Sequence, residues 1–133
     1  MLTICDTHVL LFWADDPSRL STLASATVDL GIESRKLACS DITLWEISML
    51  YARGRLNNRA GVSSSAYIED ILCAMNLAVL PITPQIAELS QSTNFIHGDP
   101  ADRLIAATSL AHQASLLSAD EKLRATPGLR CIW

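Results

Sequence analysis

Short apolar runs alternate along the chain with longer stretches in which apolar residues recur every three or four positions. The runs cover residues 2–5, 37–39, 78–82, 114–118 and 129–132. They are continuous rather than alternating with polar residues, which is typical of strands that are covered on both faces. No two-residue hairpin sequence joins them. The pattern therefore predicts an α/β sandwich built on a mainly parallel sheet of about five strands.

Local sequence also predicts where several helices begin and end. Asp99-Pro100 and Thr83-Pro84 each place a capping residue before a proline, which is typical of a helix start. Thr43 is followed three residues later by Glu46, as in a capping box, so we expect a helix to begin at Thr43. The helix over residues 21–30 is expected to end near Gly31.

The composition fits one domain, residues 1–133, with room for one sizeable core. Hydrophobic residues make up 50% of the 133 positions and charged residues only 18%, which also leaves room for a hydrophobic partner surface. The longest apolar runs are too short to span a membrane. The first residues lack the basic flank and apolar length of a signal peptide, so we expect a cytoplasmic protein.

The cysteine spacing and the net charge argue against a cysteine metal site and against nonspecific binding to nucleic acid. Cys5, Cys39, Cys73 and Cys131 do not have the spacing of a metal site, and we expect core cysteines in a reducing compartment. The formal net charge of −4 argues against broad nonspecific binding to nucleic acid. A net negative charge still allows a basic patch at one edge of the protein. The only basic cluster in the sequence is Arg53, Arg55 and Arg59, which either contacts an RNA backbone or forms a solvated helix end.

Acidic residues gather where the predicted strands end. Ligands of an open parallel sheet bind beyond the carboxyl ends of its strands. The acids expected near this edge are Asp6, Asp41, Glu46, Asp99, Asp102 and Asp120. Each one alone would be explained as a helix cap or first-turn acid, worth about 1 kcal/mol without any chemistry; Asp41 is expected to be a solvated turn acid rather than part of a site.

Converging carboxylates repel one another and require cations. The chain has only two lysines, Lys36 and Lys122, and Arg103 is the one arginine within the acidic segments. We therefore expect a hard divalent ion such as Mg²⁺, which favours carboxylate, water and phosphate oxygens, to balance these charges. Such an ion supports phosphodiester cleavage. No histidine or cysteine has the spacing of a zinc site.

Four segments, in this order and spacing, resemble the PIN-domain family, most closely the VapC-type ribonuclease toxins of prokaryotic toxin–antitoxin pairs. They are CDTHVLLFW from Cys5, SDITLWEISML from Ser40, HGDPADRLIAAT from His97 and LLSADEKL from Leu116. Together they span nearly the whole chain. The resemblance implies a PIN-like three-layer α/β/α sandwich and a metal-dependent endoribonuclease.

The resemblance also implies which residues do the chemistry. The family's acidic quartet falls on Asp6, Glu46, Asp102 and Asp120, which would hold one or two Mg²⁺ or Mn²⁺ ions for water to attack an RNA phosphodiester. Asp99 is expected either to contact the metal, directly or through water, or to serve only as a helix cap.

Residues beside the quartet have supporting roles in this hypothesis. Thr7 and Ser118 would orient a carboxylate or a water, unless they only cap helices. Arg103 would neutralise the cluster or touch phosphate, with a structural salt bridge as the alternative. His8 is expected to be structural, and His97 is expected to make a turn hydrogen bond rather than contact RNA. Trp13, Trp45 and Tyr51 are expected in the core or a partner groove, with base stacking as the less favoured role.

The resemblance further implies partners. A small antitoxin would wrap an apolar groove and mask the acids, and a homodimer is expected. Two other classes remain open: a PIN-like module that binds RNA or protein without cutting, and an α/β phosphotransferase. The phosphotransferase is the poorer fit because such enzymes usually place a second Asp two residues after the first, whereas Asp6 is followed by Thr7 and His8.

Overall fold

In the computed structural model, which describes residues 1–57, 60–96 and 98–133, five parallel strands form one sheet. The strands are β1 (Thr3–Cys5), β2 (Leu37–Ser40), β3 (Ala78–Leu80), β4 (Ser115–Leu117) and β5 (Cys131–Ile132). Their order across the sheet is β3-β2-β1-β4-β5, and each neighbouring pair is parallel. The predicted parallel sheet is confirmed.

Seven α-helices of the described residues cover both faces of this sheet. They are α1 (Thr7–Asp15), α2 (Thr22–Ser34), α3 (Asp41–Ala52), α4 (Ser64–Ala74), α5 (Pro84–Leu89), α6 (Pro100–Ala111) and α7 (Glu121–Arg124), with a short 3₁₀ turn at Pro17–Arg19. Successive strand residues point to opposite faces. Cys5 and Leu117 pack with α1–α4, whereas Ile4 and Leu116 pack with α5–α7. The three-layer α/β/α sandwich is therefore confirmed.

The predicted helix starts are right at two places and wrong at a third. Thr83 and Asp99 cap α5 and α6, each followed by proline. The predicted helix start at Thr43 is wrong, because α3 begins two residues earlier, at Asp41. Ser40 caps the helix, its hydroxyl oxygen accepting from the Ile42 N–H at 3.3 Å. Ser40 ends β2 in an extended conformation and is itself a good cap, so the helix starts directly at the strand end.

Gly31 does not end α2, contrary to the prediction. The helix continues to Ser34 and ends at Arg35, whose left-handed φ of 56° closes it. Gly31 is buried, and a Cβ at this position would overlap the side chain of Leu37 on β2. Glycine is therefore explained by the close approach of helix and strand, which a local reading of the sequence cannot detect.

The order of the strands fixes where a ligand site can form. From β1 the chain builds β2 and β3 on one side of the sheet and then crosses to β4 on the other side. Such a reversal leaves a crevice at the carboxyl ends of the two strands that flank it. Asp6 follows β1, and Ser118 and Asp120 follow β4, so two of the predicted acids lie at this switch point.

Two further expectations are answered by the fold. Cys5 and Cys39 are buried, as predicted for core cysteines, but Cys73 is exposed on α4 and Cys131 is half-buried. The helical periodicity of α4 places Cys73 on the solvent side of the helix. The apolar residues next to it in the sequence gave no indication of this exposure. Across the described ranges, the helices are too short or too polar for any to cross a membrane.

Candidate metal centre at the sheet switch point

Asp6 is held at the centre of the site by bonds to both of its carboxylate oxygens. Its Oδ1 accepts from the Thr7 N–H at 2.8 Å and so caps α1, while Oδ2 accepts from the Ser118 hydroxyl at 2.8 Å. Its own N–H donates to the Leu117 carbonyl at 3.0 Å. Only 4% of the residue is exposed. The carboxylate is thereby fixed between the ends of β1 and β4.

Ser118 links Asp6 to the acid that follows β4. Its Oγ accepts from the Asp120 N–H at 3.1 Å while its hydroxyl proton is donated to Asp6. Asp120 caps α7, its Oδ1 accepting from the N–H groups of Lys122 and Leu123. The predicted role of Ser118 in orienting a carboxylate therefore matches its hydrogen bonds.

Glu46 reaches the same region from the second turn of α3. Its side chain is buried, and its Oε1 has no hydrogen-bond partner among the described residues. A buried carboxylate oxygen without a partner carries the full cost of its desolvation. Oε1 is thus an oxygen that a cation would stabilise.

Burial raises the pKa of both Asp6 and Glu46 above the ordinary values. For Asp6 the Ser118 hydrogen bond, the charge of His8 and the Thr7 N–H lower the pKa, whereas the charge of Asp120 raises it further. For Glu46 the Thr7 hydroxyl lowers the pKa and the charges of Asp6 and Asp99 raise it. The protein therefore only partly compensates two buried negative charges.

Asp99 and Asp102 approach from α6. Asp99 caps the helix, its Oδ1 accepting from the N–H groups of Ala101 and Asp102 at 2.8 and 3.2 Å, so its predicted capping role is confirmed. It is close enough to Glu46 to raise that residue's pKa. Asp102 lies in the first turn of the same helix. Its role as a metal ligand stays a prediction.

The acids share the edge of the sheet without forming a closed cage. Asp6, Glu46, Asp99 and Asp120 influence one another electrostatically. Within the described parts of the chain, however, no three His, Cys, Asp or Glu side chains converge closely enough to hold one ion. Like-charged carboxylates repel each other, so closing around an ion requires that ion's charge.

Arg103 hydrogen-bonds to a neighbouring loop. Its guanidinium donates to the carbonyls of Ser90, Ser92 and Phe95 at 2.7, 2.8 and 3.2 Å and lies 5.5 Å from the Phe95 ring centroid. These bonds fasten the segment after α5 to α6. The structure thus gives Arg103 a structural function, and its predicted contribution to the acid cluster stays a prediction.

Several supporting residues differ from expectation. Asp41 is the first residue of α3 rather than a solvated turn acid: its Oδ2 accepts from the Ile82 N–H at 3.2 Å, and its Oδ1 is buried without a partner in the described chain. Of the two environments predicted for Trp45, the core is wrong, since 57% of the residue is exposed, and the partner groove stays a prediction. Tyr51 is buried as predicted. Arg59 and His97 lie outside the described residues.

Sequence reasoning missed Thr43 as a residue of the site. Thr43 is fully buried, and its Oγ1 lies 3.0 Å from the Oγ1 of Thr7. Thr7, predicted to orient a carboxylate, in turn lowers the pKa of Glu46. The one available indication was spacing, because Thr43 precedes Glu46 by three residues and so shares its helix face.

Comparison with known proteins agrees with this architecture. The PIN domain family model matches residues 3–129. Ribonuclease VapC22 from Mycobacterium tuberculosis (strain ATCC 25618 / H37Rv) is 31% identical over 122 residues, which cover 91% of this chain and 88% of that protein.

Solved structures share the fold at lower identity. VapBC2 from Rickettsia felis bound to a DNA fragment from their promoter matches with a TM-score of 0.73 and 16% identity, covering 99% of this chain and 98% of that chain. DNA-bound VapBC from Salmonella typhimurium gives 0.73 and 19%, with the same coverage. A toxin–antitoxin complex from Klebsiella pneumoniae gives 0.66 and 18%, covering 98% and 96%. The predicted PIN-like fold is confirmed.

Proposed function

The chain belongs to the PIN-domain family and, within it, to the VapC group, and from this premise we propose that it is a divalent-metal-dependent endoribonuclease, the toxin of a type II toxin–antitoxin pair. The similarity to a ribonuclease over nearly the whole chain supports RNA as the substrate. The observation that carries the proposal is the buried pair Asp6 and Glu46 at the sheet switch point, with one oxygen of Glu46 lacking a partner in the described chain.

The donor set fits a hard cation. Asp6, Glu46, Asp102 and Asp120 would hold Mg²⁺ or Mn²⁺, with Asp99 as a further direct or water-mediated contact, because hard ions take carboxylate oxygens. When bound, the ion would lower the pKa of a water and neutralise charge that develops on the phosphate. The buried, incompletely compensated charges of Asp6 and Glu46 support this assignment.

The chain's own residues would orient the reaction. Ser118 and the Thr7 N–H fix both oxygens of Asp6, so this carboxylate keeps one orientation. The capped start of α6 directs its N–H groups toward Asp99 and adds positive potential from the helix N-terminus. An RNA phosphate would lie over the crevice. Because these hydrogen bonds already hold the carboxylates in one orientation, little rearrangement of the side chains would be needed when the phosphate binds.

Partners follow from the same premise. The toxin–antitoxin complexes that share this fold support a cognate antitoxin. Large apolar side chains remain exposed for contacts of this kind, among them Leu23, Leu30, Trp45 and Ile96. The homodimer, the cytoplasmic location and the single domain over residues 1–133 stay predictions.

Cleavage of total cellular RNA by purified protein tests the proposal. We expect discrete fragments with Mg²⁺ or Mn²⁺, none with EDTA, and none from Asp6→Asn. Asp29→Asn, an exposed acid on α2, is the matched control and should cleave like the unchanged protein. Cleavage that persists in EDTA, or in Asp6→Asn, would contradict the metal site.

A non-catalytic PIN-like binding module is the second candidate. It is favoured by one observation, that no three potential ligands converge as they stand in the described residues. Such a module would bind RNA without metal-stimulated turnover. Absence of any cleavage together with absence of metal binding by antitoxin-free protein would support it over the nuclease.

A further inference from the structure

We propose that Arg19 and Arg55 form a subsite for the RNA substrate, binding a phosphate of the strand next to the one that is cleaved. The two arginines line a groove of about 200 Å³ beside α1, together with His8 and Phe12. The inference rests on the proposed function, because the groove is assigned to the strand that the metal site would cut. It adds a contact for this strand outside the acids themselves.

The groove starts beside the metal site and runs along α1. Asp6 caps this helix, and His8 lies in its first turn. His8 is exposed, lines the groove and lowers the pKa of Asp6 through its charge. Phe12 follows one helical turn after His8, with ring centroids 6.1 Å apart. At about 1.5 Å of rise per residue, Phe12 lies about 9 Å along the helix from Asp6, so a strand bound at the acids reaches the groove.

The Phe12 ring fixes the position of Arg19. The guanidinium carbon of Arg19 lies 4.4 Å from the Phe12 ring centroid, although Arg19 belongs to the 3₁₀ turn that follows the helix. Trp133, which follows β5, contacts the same ring with a centroid distance of 6.5 Å. A cation is attracted to the face of an aromatic ring. The ring therefore holds an exposed arginine in one place, which lowers the entropy cost of using it for binding.

The two acids that also line the groove are already engaged. Asp16 Oδ1 accepts from the Ser18 hydroxyl at 2.6 Å, and Asp15 Oδ2 accepts from the Tyr67 hydroxyl. In the part of the chain that the structure describes, neither carboxylate forms an ion pair with either arginine of the groove. Two positive charges that share a groove repel each other, and an anion between them relieves this repulsion.

A phosphate of an RNA strand is the anion that fits this groove. Guanidinium groups bind phosphate oxygens through paired N–H donors, and RNA is the anion that the metal site would hold next to them. The groove is smaller than typical small-molecule pockets of about 300–1,000 Å³, which favours one nucleotide of a continuing strand over a separate ligand. With a net charge of −4, the protein needs such a local pair of arginines for RNA to approach.

RNA binding without cleavage tests the groove separately from the metal site. The probe is a fluorescein-labelled single-stranded RNA of about 12 nucleotides, within the usual site sizes of single-strand binders. Its affinity is measured by fluorescence anisotropy in EDTA at several salt concentrations, for Arg19→Gln, Arg55→Gln and Phe12→Leu. Lys36→Gln is the matched control, because it removes the same charge from an exposed residue before β2, at the opposite edge of the sheet from the acids.

The salt dependence distinguishes a phosphate contact from a structural role. For each lost contact we expect the slope of log affinity against log salt to fall by about 0.7, which near 0.1 M salt means about 5-fold weaker binding. Arg19→Gln and Arg55→Gln should each show this change. Phe12→Leu keeps both charges but releases Arg19, so its affinity should fall by about 2–5-fold. Lys36→Gln should keep the affinity and the slope of the unchanged protein.

The outcomes separate this subsite from the metal site. If Arg19→Gln and Lys36→Gln bind the RNA alike, with the same slope, the subsite is wrong and the metal site is unaffected. Unchanged RNA affinity of Arg19→Gln with weaker binding of a poly-glutamate peptide would assign the groove to an acidic protein segment and overturn the proposal. No measurable RNA binding by the unchanged protein would overturn it as well. Failure of the proposed function differs, since the protein would then bind RNA through both arginines without metal-dependent cleavage.

Discussion

The Ser118 hydroxyl donates a 2.8 Å hydrogen bond to Asp6 Oδ2 although the two residues are 112 positions apart in sequence. The bond crosses the switch point between β1 and β4 and is buried at both ends. It holds one carboxylate oxygen of Asp6 while the Thr7 N–H holds the other. The central acid of the proposed site is therefore oriented before any ligand arrives.

Loss of this bond should affect cleavage more than folding. Ser118→Ala leaves Asp6 Oδ2 and the Asp120 N–H without their partner, so we expect RNA cleavage to fall about 10–100-fold. Ser109→Ala is the matched control, because Ser109 is equally buried and its hydroxyl donates to the Ala114 carbonyl at 3.0 Å. Similar cleavage rates for the two variants would argue against an orienting role for Ser118.

Asp6 should reduce the stability of the metal-free protein at neutral pH. Burial raises the pKa of Asp6 in the folded state, so the folded protein holds the proton more tightly than the unfolded chain does. The stabilisation from protonated Asp6 is full below the unfolded pKa of about 3.9 and is lost as pH rises through the folded pKa. Asp6→Asn should therefore melt at a higher temperature than the unchanged protein at neutral pH.

Melting in EDTA at neutral pH and near pH 4 checks this sign. The advantage of Asp6→Asn should shrink as pH falls, because the aspartate becomes neutral as well. Addition of Mn²⁺ should raise the melting temperature of the unchanged protein only. A variant that melts lower at neutral pH would show that burial of Asp6 is already compensated.

Gly31→Ala should destabilise the protein although alanine favours helices. At an unconstrained helical position this change typically gains about 0.5–1 kcal/mol. Here the new Cβ would overlap the Leu37 side chain, and overpacking of a core costs about 1–3 kcal/mol. Urea unfolding measures the net loss. Ser25→Ala, on an exposed position of α2, is the control and should change the midpoint little.

Arg103→Lys should loosen the segment after α5 without removing a positive charge. Lysine cannot reproduce the planar fork that reaches the carbonyls of Ser90, Ser92 and Phe95. Hydrogen bonds to charged groups are worth about 1.5–3 kcal/mol each, so part of this stabilisation is lost. Hydrogen exchange should become faster in residues 90–96. Unchanged protection there, with impaired cleavage, would instead favour a direct role for Arg103 at the acids.

What the sequence predicted well depends on neighbouring residues. Asp99-Pro100 defines the start of α6 through its own cap and its own proline. Continuous apolar runs predicted the parallel sheet because its inner strands β1, β2 and β4 are covered on both faces, whereas the edge strand β3 leaves Ala78 and Val79 exposed. The acids at strand ends followed from the same pattern, since parallel strands place their carboxyl ends at one edge.

What the sequence could not predict depends on distant residues. From the sequence, Gly31 was predicted to end a helix, and only the structure shows that it lies against Leu37. Thr43 was predicted to cap α3, but Ser40 caps this helix, and the Thr43 hydroxyl contacts the Thr7 hydroxyl instead. For Trp45 the sequence left the core and a partner groove open, and only the structure shows that 57% of the residue is exposed. The three carbonyls that accept from Arg103 belong to residues 8 to 13 positions away, so the sequence alone did not indicate them.

A crystal structure of the antitoxin-free protein with Mn²⁺, using the ion's anomalous scattering, tests the central claim most directly. The account predicts an anomalous peak bound by Asp6 and at least one more of Glu46, Asp102 and Asp120, and no such peak in Asp6→Asn. A peak away from these acids, or one that survives in Asp6→Asn, would contradict it.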